Sequence, residues 1–217
     1  MVIVVGNGPS AEQYKHLLTE NHTVIGCNKG FTEFPVVCFV VKDRLTMMEI
    51  NEEYQLTAPG YTREHWLRNR KAYQIQSAWR ELPVSDAGNS GSIAIDLASK
   101  HYPDSTIYVV GFDGCLDSKQ FYNLYTYAHR NWETRSTEDT TYRHRREVLE
   151  VIRAITNPVY MVTDSEDPEF HCVTHDTFKK SILKEDDPCK ETKPTETHDF
   201  QVGGEESSDT TYHNDAE

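Results

Sequence analysis

The first ten residues, MVIVVGNGPS, constrain the fold more than any other stretch of the chain. An unbroken β-branched run, Val2–Val5, enters a Gly6-Asn7-Gly8-Pro9-Ser10 turn, and residues 11–18 follow with helical character. Such a run reads as a parallel strand buried on both faces. The two glycines allow a tight turn and close approach of a ligand to the backbone. Pro9 and Ser10 suit the first turn of a helix, whose free N–H groups attract anions. The pattern therefore predicts a strand–turn–helix cradle for a nucleotide. It lacks the third glycine of the dinucleotide fingerprint, and no G-K-[ST] follows to make a P-loop.

The rest of the chain alternates in the same way. Residues 23–28 read as a second strand and 36–41 (VVCFVV) as a central third one, stopped by Lys42-Asp43-Arg44. Residues 45–80 carry no clean period and read as a helix with an irregular excursion. Residues 90–100 read as a buried helix capped at Asn89 or Ser90. A strand at 106–110 runs into Gly111-Phe112-Asp113-Gly114, residues 143–155 form an amphipathic helix, and 159–162 form a last strand. The expected fold is α/β: a three-layer, mostly parallel, Rossmann-like sheet with helices on both faces. A single nucleotide-binding domain spans 1–165, with a lid-like loop at 115–142. Residues 166–183 read as a poorly defined extension, and 184–217 as a disordered acidic tail.

Charge supports that division. The formal net charge is −13, and residues 184–217 hold 11 acidic and 3 basic residues, leaving −5 on residues 1–183. The tail is too poor in apolar residues to offset the entropy of ordering it. The body lacks the basic stripe that holds a nucleic-acid backbone. Five cysteines show no paired spacing, and no signal peptide or membrane-spanning run is legible, so a cytoplasmic protein is expected.

In open α/β sheets ligands bind beyond the carboxyl ends of the strands. Polar clusters fall at those ends: Asn7-Gly8-Pro9-Ser10, Asn28-Lys29, Lys42-Asp43-Arg44 and Phe112-Asp113, with Asn89-Ser90-Gly91 at a helix start. Asparagine amides offer both donor and acceptor to a base edge or ribose, and Ser90 and Gly91 offer backbone donors to a phosphate. Asp113 suits ribose hydroxyls or a metal. His171, Cys172 and His175 have a superficial metal-ligand spacing, but no Glu follows the first His and no metal is assigned.

These motifs carry a resemblance. G-N-G-P-S, C-N-K, S-G-S-I-A-I-D-L-A and I-Y-V-V-G-F-D-G, in this order over roughly residues 1–160, resemble the bacterial family-42 sialyltransferases. More broadly they resemble the fold group that also contains archaeal 6-hydroxymethyl-dihydropterin pyrophosphokinases. The resemblance implies contacts to a cytidine nucleotide from Asn7, Gly8, Asn28, Ser90, Gly91, Gly111 and Asp113. It implies phosphate contacts from the following loop, where Tyr122, Tyr125 and Tyr127 are candidates. It also implies a catalytic histidine ahead of the last helix and strand, a place held by His144. The family has Ser at the next position, where Arg145 stands here. His129 is the competing base; imidazole suits that role because it titrates near neutral pH.

Three functions follow. One is an inverting glycosyltransferase that takes a nucleotide-sugar donor, a CMP-sugar by resemblance. Its acceptor is unknown: a glycan, a small molecule or, against the acidic charge, a nucleic-acid base. The second is a Mg²⁺-dependent pyrophosphokinase, with Asp43, Asp113 and Asp117 as metal ligands. The third is a non-catalytic nucleotide-binding module.

Overall fold

The computed structural model describes residues 1–68, 70–116, 124–125 and 138–185, the side chains of 138–140 and 185 excepted. The strands are β1 (Val2–Val5), β2 (Thr23–Cys27), β3 (Cys38–Val40), β4 (Gly60–Thr62), β5 (Trp79–Glu81), β6 (Ile107–Val110), β7 (Val159–Val162) and β8 (Cys172–Val173). They form one sheet in the order β5-β4-β3-β2-β1-β6-β7-β8. Every neighbouring pair is parallel. Helices α1 (Arg44–Glu53), α2 (Glu64–Leu67), α3 (Ser90–His101), α4 (Asp113–Leu116), α5 (Glu138–Ala154) and α6 (His175–Glu185), with 3-10 helices at Pro9–Tyr14 and Asn28–Thr32, complete the described body.

Strand alternation sorts the core into two sides. Val2, Val4, Ile25, Val40 and Val109 face the layer of α3 and α5, meeting Ile93, Leu97, Val148 and Leu149. Ile3, Val5 and Val24 face the opposite way, onto Ala11, Tyr14, Phe178 and Ile182. Phe39 and Val41 lie on that second side against Met47 and Ile50 of α1. The run Val2–Val5 is buried at every position because both sides of its strand are covered. This is the expected three-layer α/β architecture. The order grows outward from β1 through β2–β5 on one side and through β6–β8 on the other, so the topological switch point lies between β1 and β6.

Several expectations are corrected. Residues 11–18 do not form an α-helix; a 3-10 helix runs Pro9–Tyr14. The Ala11 amide bonds the Gly8 carbonyl at 3.1 Å, so the first turn closes at three-residue spacing. The 45–80 excursion contains α1, α2 and two further strands. β5 carries no apolar run; it is anchored by fully buried Trp79, which packs edge-on against Phe39 and donates through Nε1 to Asn51 at 3.2 Å. α5 begins at Glu138, inside the expected loop. The strand at 159–162 is not the last, and 166–183 is no loose extension. β8 pairs with β7, and α6 buries Phe178 and Ile182 completely. Helix α6 carries the ordered body through Lys184 and Glu185, past the expected tail boundary. Among the described residues no helix is long and apolar enough to cross a membrane.

Candidate functional site

The two glycine turns beside the switch point are built against each other. The Gly6 amide donates to the Val110 carbonyl and the Gly8 amide to the Gly111 carbonyl, both at 2.8 Å. Gly111 adopts φ 73, a left-handed conformation that favours glycine. A Cβ on Gly8 would lie 2.1 Å from the Asp113 carboxylate, so this glycine makes room for protein rather than for a ligand. Phe112 fills the equivalent space at Gly91, 2.6 Å from an added Cβ, and shares that at Gly6 with the Gly111 carbonyl, at 2.7 and 2.5 Å.

Asp113 explains the unusual first turn. Its Oδ2 accepts the Ser10 amide at 2.9 Å. The anion drawn to the start of the Pro9–Tyr14 helix is therefore the protein's own carboxylate. Pro9 and Ser10 shape that helix start, and the Ser10 hydroxyl is buried without a partner among the described residues. Neither they nor Asp113 are part of the cavity wall described below.

The start of α3 is a different case. Asn89 caps it reciprocally: Asn89 Oδ1 accepts the Ser92 amide and Ser92 Oγ accepts the Asn89 amide, each at 3.0 Å. The amides of Ser90 and Gly91 make no hydrogen bond among the described residues and remain available to an anion. Ser90 Oγ accepts the Lys42 amide at 3.0 Å and donates to Asn28 Oδ1 at 3.2 Å. That bond fixes which way the Asn28 amide points, leaving its NH₂ as the group to offer a ligand. Asn28 sits at φ 50, which asparagine tolerates better than most residues.

Helix α5 closes the site. Asn89 Nδ2 donates to Glu147 Oε2 at 2.9 Å and to the His144 carbonyl at 3.3 Å, tying the cap of α3 to the turn that carries His144. Arg145 does not share the site with His144. Its guanidinium pairs with both Asp167 oxygens at 2.7 and 2.8 Å, with Glu169 at 2.8 Å and with the Cys115 carbonyl at 2.7 Å. The residue that departs from the resembled motif thus bolts α5 to the 167–169 turn.

These elements enclose a cavity of about 550 Å³ beyond the carboxyl ends of the strands, within the usual range for small-molecule sites. Asn7, Gly8, Asn28, Ser90, Gly91 and Gly111 meet there, and His144 faces the same space. Asn7 Oδ1 is buried without a hydrogen-bond partner among the described residues. Cys27 and Cys115 also line it; burial pushes both thiols up to about 12, so they serve as apolar wall rather than as nucleophiles. Tyr125 is buried but is not part of this wall. Tyr122, Tyr127, His129 and Asp117 lie outside the described residues.

Sequence reasoning missed Arg63, Trp66 and Glu147. Arg63 and Trp66 follow β4, whose three residues give no strand signal, and Glu147 is one acid in a charged helix. Asp43, a metal-ligand candidate in the sequence, has a structural place as well. It caps α1, accepting the Thr46 amide at 3.0 Å. Among the described residues no group of three or more potential metal-ligating side chains comes together. No protein family, curated protein or solved structure matches the chain.

Proposed function

We propose that this protein is a glycosyltransferase that uses a nucleotide-sugar donor, with His144 as the general base. One observation carries the reading. Asn7, Asn28, the free amides of α3 and His144 converge on a single cavity at the switch point of a parallel sheet. The asparagines suit a base or ribose, and the Ser90 and Gly91 amides suit the phosphate on which negative charge grows as the donor bond breaks.

In the transfer, an acceptor hydroxyl oxygen bonds to the anomeric carbon of the donor. The bond from that carbon to the nucleotide phosphate oxygen breaks with its electron pair, and the hydroxyl proton passes to His144. Attack from the face opposite the leaving group inverts the anomeric centre. Asn89 positions the base by holding the His144 carbonyl and Glu147. The motif resemblance to family-42 sialyltransferases supports the same roles and favours a CMP-sugar. Asp43 and Asp113 already cap backbone amides, which favours glycosyl transfer over Mg²⁺-dependent pyrophosphate transfer.

The test is nucleotide release from CMP-, UDP- and GDP-sugars, with and without Mg²⁺. His144→Ala is expected to lower turnover by roughly 10²–10⁴ while nucleotide affinity stays within about twofold. Unchanged turnover in that variant removes His144 from catalysis. Activity seen only with ATP and Mg²⁺ replaces this reading with pyrophosphate transfer.

A further inference from the structure

The cavity is more cationic than the start of a nucleotide site requires. Lys42, Arg44, Arg63 and Arg143 line it, against the two carboxylates of Asp43 and Glu147. Both carboxylates already have partners, Asp43 in the Thr46 amide and Glu147 in Asn89 Nδ2. Lys42 Nζ donates to the Gly88 carbonyl, a neutral partner. Burial holds the Lys42 ammonium below its usual range, Arg63 and Arg143 add to this, and Glu147 and Asp86 oppose it. These groups therefore form one electrostatic cluster. Arg143 makes no hydrogen bond or ion pair among the described residues. Arg63 reaches Asp86 at 2.9 Å, but that carboxylate is 53 % exposed and largely hydrated. Lys42 and Arg63 are half-buried while Arg44 and Arg143 are exposed, so the wall presents cationic groups to an anion that enters the cavity.

The cluster has its own place in the cavity. It rises from the ends of β3 and β4, turns toward residues 86–88, and takes Trp66 as its apolar wall, with the Arg63 guanidinium 5.4 Å from the Trp66 ring. Arg143 and His144 both line the cavity from α5, so an anion held by Arg143 occupies the same cavity as the base. We infer that this half of the cavity is the acceptor subsite, built for an anionic sugar: a phosphorylated or carboxylated saccharide gripped by Arg63, Arg143 and Lys42 against Trp66. The assignment of acceptor rather than donor rests on the nucleotide reading above. The anion subsite itself rests on the cluster alone.

Calorimetric titration of the full chain with glucose 6-phosphate, glucuronate and glucose tests it, first alone and then with the site saturated by whichever nucleotide binds. The anionic sugars are expected to bind alongside the nucleotide, and glucose at least tenfold more weakly. Whichever of the two anionic sugars binds more tightly identifies phosphate or carboxylate as the anion. Arg143→Gln, at an exposed position without hydrogen bonds or ion pairs among the described residues, is expected to weaken the anionic sugar about tenfold or more and to leave nucleotide affinity within twofold. Arg63→Gln should do the same. Displacement of the sugar by nucleotide, equal losses of both ligands in Arg143→Gln, or binding no tighter than glucose would each overturn the subsite. Arg143-dependent binding of the sugar to a protein that takes no nucleotide would uphold the subsite while removing the glycosyltransferase reading.

Discussion

Asn28 combines a left-handed backbone with a side-chain oxygen committed to Ser90 Oγ, while Asn7 presents a buried Oδ1 that has no partner among the described residues. The two asparagines therefore respond differently to substitution. Asn7→Ala removes an unsatisfied buried acceptor, so the ligand-free protein should lose no stability, yet nucleotide affinity should fall by about 1–3 kcal/mol. Asn28→Gly keeps the backbone relaxed and should weaken the nucleotide similarly, whereas Asn28→Ala should add about 1 kcal/mol of destabilisation from the forced φ. Urea unfolding and calorimetric titration of the three variants separate these effects; a ligand-free Asn7→Ala protein as impaired as Asn28→Ala would make Asn7 a turn-former. Both asparagines were legible in the sequence because each ends an apolar strand. Asp113 was legible as polar but its job was not. That it would serve the Ser10 amide depends on β1 and β6 being neighbours, which no local pattern encodes.

The elements that sequence reasoning recovered are those whose own pattern is complete. β1 is apolar at every position, and α3 has its cap, its box partner and a buried face within residues 89–101. β4, β5 and β8 have three residues or fewer and take their stability from neighbours, so their signal lies elsewhere in the chain. Helix α5 was legible over residues 143–155, but its orientation depends on Arg145 meeting Asp167 and Glu169. The Arg145 hydrogen bonds hold the Asp167 carboxyl below its usual range, helped by the Glu169 and Phe170 amides and opposed by burial. A carboxylate with a depressed folded value stabilises the protein above the unfolded value, about pH 4, and that contribution is lost as pH falls through the lower folded value. Asp167→Asn should therefore lower the urea midpoint at pH 7, and the gap from the unmodified protein should close as pH drops from about 4 toward 2. A gap independent of pH would show that the bolt works by shape alone.

The described body is built on a sheet that extends both ways from β1, with polar chemistry gathered at the edge where its parallel strands end. Sequence order alone located that edge, because each strand was followed by a polar turn. It did not locate the far side of the body, since α6 offers only Phe178 and Ile182 as apolar anchors among charged residues. Deleting residues 187–217 should leave the melting temperature nearly unchanged. Deleting 165–217 should cost several kcal/mol, as two fully buried side chains contribute about 1.5–3 kcal/mol each. Equal effects of the two deletions would show that the boundary drawn after α6 is misplaced. The central claim is that a nucleotide lies in the switch-point cavity with its phosphate on the start of α3, the first turn being already filled by Asp113. Amide chemical shifts of the ¹⁵N-labelled chain, followed during titration with CMP, UMP, GMP and AMP, test this most directly. The account predicts that one of these nucleotides moves the Ser90 and Gly91 amides most, while the Ser10 amide stays close to its free position. Shifts centred on Ser10, or no shift at the cavity with any of the four, would contradict it.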